Sequence, residues 1–158
     1  MDDVGRLRQA LHGVEGASTA LRWASERPWR TDTHVFWQSS VPTVDLHDLN
    51  AKLAKRVVAE VVAIEADLTS GAVCLVTGLG RRSTGPAVLG KVVSGALRRA
   101  AQDTDWEVRP AGAARWMVIF DPSAAPAAAT GALGWGFWLL VVLFAAAVIL
   151  VLATKLFG

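Results

Sequence analysis

The spacing of apolar residues between Thr43 and Phe120 changes several times, and each change marks an element. Thr43 to His47 alternates, with Val44 and Leu46 on one face and Asp45 and His47 on the other, the period of a strand. Leu49, Leu53, Val57, Val61, Ile64 and Leu68 then recur at helical spacing, a strong amphipathic stripe. Asp48 or Asn50 can cap that helix, and Thr69-Ser70-Gly71 ends it. Ala72 to Val76 is a short apolar run with β-branched residues, enough for one buried strand. From Ala87 to Ala100, Leu89, Val92, Val93, Ala96 and Leu97 share one helical face. Trp106 to Arg109 and Arg115 to Phe120 give two further strands, antiparallel across a Pro/Gly turn. The pattern predicts an α/β domain over 42–121: two layers, βαβαββ, both helices on one face of a mixed four-stranded sheet.

The flanks are less regular. Val4, Leu7, Leu11 and Val14 fall at helical spacing, but Gly13 and Gly16 weaken the end of any helix there. Within the arm 1–41, Trp23, Trp29 and Trp37 are interleaved with Arg22, Arg30 and His34. Tryptophans beside arginines stack on unpaired bases; they also staple an arm to its domain by large buried area, which is the expectation here. His12 and His34 have no partners at ligand spacing and receive no role. After the domain, 122–132 is an uncharged linker rich in Pro and Ala. Residues 133–153 are 21 uncharged, mostly apolar residues, and about 20 cross the hydrocarbon of a bilayer. Trp135 and Trp138 suit one interface and Lys155 can snorkel at the other. The expectation is a transmembrane helix acting as a C-terminal anchor, with Ala132 and Gly136 as a weak homodimer motif. With no signal peptide at MDDVGRLRQ, the domain is expected on the cytoplasmic side.

Composition adds three limits. The net charge of +2 means that nucleic-acid affinity needs a local patch. The single cysteine, Cys74, lies in a predicted buried strand and allows no intrachain disulfide. Three scattered histidines and one cysteine give no metal-cluster spacing.

The local patch lies between Asp67 and Asp103, where no acidic residue occurs and Arg81, Arg82, Lys91, Arg98 and Arg99 do. There Thr77-Gly78-Leu79-Gly80 ends a strand and a helix follows, so free backbone N–H groups meet positive charge, as a phosphate requires. The loop is no Walker A motif, because Pro86 and Ala87 stand where Lys and Ser/Thr are needed. Ser83 also stands where a dinucleotide fingerprint needs its third glycine. Strand–helix–strand order makes the first two strands parallel. Asp45 and His47 therefore reach the same sheet edge as the glycine loop, the edge where open α/β sheets bind ligands.

These residues resemble a known family. Val44-Asp45-Leu46-His47 is similar to the Leu-Asp-Leu-His motif of Smr (small MutS-related) domains. Thr77-Gly78-Leu79-Gly80 is similar to that family's second motif, His/Thr-Gly-x-Gly, at the usual distance. The resemblance covers roughly Pro42 to Pro122. It implies nucleic-acid binding with endonuclease activity on RNA or DNA. By position it makes Asp45 and His47 the catalytic pair and Thr77, Gly78 and Gly80 binding residues, joined by the basic Arg81, Arg82 and Lys91. Val44 replaces leucine, and Asp48 stands where the family often has glycine. A second carboxylate there repels phosphate unless a metal or an arginine intervenes.

Phosphodiester cleavage needs a proton acceptor, a proton donor and positive charge on the phosphate oxygens. Imidazole is the side chain suited to move protons near neutral pH, which assigns His47. Asp45 would orient it, or hold a divalent cation such as Mg²⁺ with Asp48. The structural alternative is that Asp45 and His47 merely fix the strand end. The functional alternative is a non-catalytic, membrane-anchored adaptor for a protein partner.

Overall fold

A computed structural model describes residues 1–20, 28–78 and 88–127. Gly80, Arg81 and Arg82, Trp23, the linker from 128 to 132 and the apolar stretch 133–153 lie outside the described residues. Among the described residues, no helix is long and apolar enough to cross a membrane.

In chain order the elements are α1 (Asp3–Ser18), the short α2 (Thr31–His34), β1 (Val35–Gln38), β2 (Val41–Asp45), α3 (Ala51–Ile64) with a 3-10 turn (Glu65–Asp67), β3 (Ala72–Val76), α4 (Val88–Ala100), β4 (Glu107–Pro110) and β5 (Arg115–Ile119). The sheet is mixed, with strand order β1-β2-β3-β5-β4. β2 and β3 are parallel, and every other neighbouring pair is antiparallel. The fold is α/β, but the expected four strands are five.

The additional strand comes from the arm. Val35-Phe36-Trp37 is a β-branched and aromatic run that pairs back onto β2, Val35 opposite Val44 and Gln38 opposite Val41. Ser39 and Ser40 alone close the hairpin, both left-handed, with φ of 50° and 62°. Two consecutive positive φ values make a type I′ turn, whose twist suits a hairpin but which normally selects Asn-Gly. This pairing also starts β2 two residues earlier than the alternation suggested, with Pro42 inside it. Gln38 and Val41 close the two-residue loop as a hydrogen-bonded pair, so Pro42 falls at the next, non-bonded position and removes no bond to β1. Replacing Ser39 by Asn and Ser40 by Gly together should stabilise the chain by about 1 kcal/mol. The check is a higher urea midpoint for the double variant than for wild type.

α1 runs through both glycines that argued for an earlier stop. Val4, Leu7, Leu11 and Val14 are buried against α3. Four such side chains contribute on the order of 6–12 kcal/mol gross, against about 1 kcal/mol lost at each helical glycine. A Cβ on Gly13 would meet only the tip of the flexible Arg56 side chain of α3, 2.8 Å from Nη2, so packing there does not require glycine. Asp2 caps α1 by accepting from Gly5 N, and Asn50 caps α3 by accepting from Leu53 N.

α3 packs against both α1 and α4. The apolar faces of all three helices share one core with Val44, Leu46, Val73, Leu75 and Val118 of the sheet and its β2 exit. The alternate strand positions form a second, smaller cluster of Val41, Ala72, Cys74, Met117 and Ile119, joined by Ala125. Burial in it pushes the Cys74 thiol up, so Cys74 behaves as the small core residue expected.

Candidate functional site at the tips of strands β2 and β3

Parallel pairing sets the site. Asp45 is opposite Val76, and Leu46 N donates to Val76 O at 2.7 Å, so the two strands leave the sheet side by side. Leu46 is fully buried and pins the exit, while Leu49 N donates to Leu46 O in the turn that follows. Asp45 Oδ1 accepts from His47 N at 3.1 Å, a local turn that ends the strand and projects the imidazole. On the neighbouring tip, Gly78 has a φ of +71°. A Cβ at Gly78 would lie 3.1 Å from His47 Cβ. Glycine here therefore permits both the left-handed turn and the close approach of the histidine.

His47 lies between two carboxylates. Its Nδ1 is 2.8 Å from Asp45 Oδ1, and its Nε2 is 2.9 Å from Asp48 Oδ2. The ring is 43% exposed, enough for a ligand to reach it. Asp45 and Asp48 thus sit on opposite edges of one imidazole and do not converge on a shared point. Asp45 acts on Nδ1, the position from which a carboxylate orients a histidine and selects its tautomer.

A residue to which the sequence assigned no role completes the cluster. His34, at the end of α2, places its Nε2 3.5 Å from the same Asp48 oxygen. Its Nδ1 is 3.0 Å from Arg30 O and 2.9 Å from Thr33 Oγ1. Behind it, buried Trp29 donates from Nε1 to Asp45 O at 2.7 Å. The rings of Trp29, His34 and His47 form a row with successive centroids 5.5 Å apart. Trp29 is therefore the staple that the arm was expected to supply, and it holds the catalytic candidate's own strand end. Exposed Trp37 is fixed differently, donating to Asp2 Oδ2 at 3.0 Å.

The remaining candidates divide. Thr77 is buried, and both its backbone N and its hydroxyl donate to Ala114 O, at 2.8 and 3.2 Å. Its side chain thus ties β3 to the β4–β5 turn. α4 begins beside it, since a Cβ on Gly90 would be 3.7 Å from Thr77 Oγ1. Exposed Lys91 follows in that first turn, whereas Arg98 and Arg99 belong to the last turn of α4. Arg81, Arg82 and Gly80 are outside the described residues.

His34 carries a signal that spacing rules miss. Its partner Asp48 is 14 residues away, and only the β1–β2 hairpin brings them together. The run Val35-Phe36-Trp37 is the only trace of that hairpin, since Ser39-Ser40 lacks the Gly or Asn of a hairpin turn and Pro42 interrupts the second run. Comparison with protein-family models, with curated proteins and with solved structures finds no match.

Proposed function

We propose that this chain is a membrane-tethered, Smr-like nucleic-acid-binding domain that cleaves phosphodiester bonds at the paired tips of β2 and β3. One observation carries the proposal: His47 is oriented through Nδ1 by Asp45 while standing against Gly78 of the neighbouring tip. His47 moves the proton at Nε2, Asp45 keeps the ring in place, and the backbone at Gly78, with Thr77 and Gly80 of the same motif, receives the phosphate. Arg81, Arg82 and Lys91 supply the positive charge that offsets Asp48. The stretch 133–153 spans the bilayer, keeps the domain at the cytoplasmic face and offers the Ala132/Gly136 pair for dimerisation. Support comes from the shared strand edge and from the two short motifs in their order along the chain.

Binding of the full chain to structured RNA and to branched DNA, measured against salt, tests this function. Three basic side chains on phosphates give a slope of log K against log salt of about −2 to −3. Replacing Arg81 and Arg82 by Gln should flatten it to about −1. Absence of binding, or a slope near zero with tight capture of a protein, would favour the adaptor instead.

A further inference from the structure

We infer that His34, His47 and Asp48 form a binding site for a divalent transition ion of the zinc class. One nitrogen of each of His34 and His47 and one Asp48 carboxylate oxygen all lie within 4.8 Å of one another. Asp48 Oδ2 is 2.9 Å from one imidazole nitrogen and 3.5 Å from the other. Ligands bound at 2.0–2.1 Å in a tetrahedron sit about 3.3 Å apart, so these two contacts need shifts of only a few tenths of an ångström. The outer shell is in place for His47. His47 has the Asp45 carboxylate as an acceptor 2.8 Å from its Nδ1, while His34 Nδ1 lies 3.0 Å from Arg30 O and also accepts from Arg30 N at 3.1 Å, so the ion would select its tautomer. A proton held on Nδ1 leaves the Nε2 lone pair for the ion, the arrangement that metal-ligating histidines adopt. Two imidazoles and one carboxylate select Zn²⁺ and its neighbours over Mg²⁺, which prefers oxygen and keeps its waters. His34 and Asp48 are 12% and 17% exposed and His47 more so, so an ion reaches the cluster from the His47 side.

The inference concerns binding and stands apart from cleavage. It rests on the proposed function only for its consequence: an ion on His47 Nε2 excludes the proton there, so saturating Zn²⁺ should inhibit cleavage. Calorimetric titration of the metal-free full chain with ZnCl₂ is the test. One Zn²⁺ should bind per chain, with MgCl₂ failing to compete. His34→Gln and Asp48→Asn should each weaken it at least about 100-fold, since loss of a ligand exceeds the 10–100-fold cost of losing an outer-shell partner. CoCl₂ should also give a visible absorption band in wild type. If one variant fails to fold, the other and the cobalt band decide. No stoichiometric Zn²⁺ binding, or wild-type affinity in both variants, would overturn the site. Zn²⁺ binding without inhibition would keep the site and instead count against proton transfer at His47.

Discussion

Asp3→Ala should lower the stability of the chain by about 3 kcal/mol at pH 7. The Asp3 carboxylate is only 1% exposed. It accepts from Thr69 N at 2.9 and 3.0 Å, from Thr69 Oγ1 at 3.0 Å and from Ser70 N at 2.6 Å. Arg6 lies 3.2 Å away and itself donates to Asp67 O, so α1 is tied to the connection between α3 and β3 across the sequence. Hydrogen bonds to a charged group contribute roughly 1.5–3 kcal/mol each, and solvent recovers much of what the three donors on Thr69 and Ser70 lose. Asp3→Asn, which keeps the volume and one acceptor, should cost about half as much.

The same contact fixes a pH dependence. Burial alone would push the Asp3 carboxyl up, but the hydrogen bonds from Thr69 and Ser70 outweigh it and hold the group below the usual carboxylate range. A carboxyl whose folded value is depressed stabilises the fold above its unfolded value, near pH 4, and loses that contribution as pH falls through the folded value. Urea midpoints of wild type and Asp3→Ala should therefore be far apart at pH 7 and converge in acid. An equal gap at both ends would mean that Asp3 acts through packing and not through its charge.

The parts of the fold legible in the sequence are those with a local cause. The stripe from Leu49 to Val61 and the run Ala72–Val76 determine α3 and β3 by period alone. Their order forces parallel pairing with β2, which is enough to bring Asp45 and His47 to Gly78. The remainder depends on contacts distant in sequence. Asp3 meets Thr69 and Ser70 66 and 67 residues on, and nothing around Asp3 announces it. β1 was hidden because its turn uses Ser39-Ser40 where a hairpin signal would show Gly or Asn. Missing β1 also meant missing His34, since α2 leads directly into that strand. Asp48 looked like a departure from a motif; it is the oxygen shared by two imidazoles.

His47→Ala should lower phosphodiester cleavage by about 10²–10⁴-fold, the range that a positioned general acid or base contributes. Binding should change far less, because the proposed function places affinity on the basic residues and backbone N–H groups, which the substitution leaves intact. The fold should also persist: the His47 side chain is 43% exposed, while buried Leu46 and Trp29 hold the strand end. Asp45→Asn should fall between wild type and His47→Ala, since the amide still contacts Nδ1 but loses the charge that stabilises an imidazolium. The direct measurement is incubation of the purified full chain, wild type and His47→Ala in parallel, with end-labelled structured RNA and branched DNA. The account predicts cut products from wild type and their near-complete loss in the variant at unchanged binding; equal cleavage by the two proteins would remove His47 from the chemistry and contradict it.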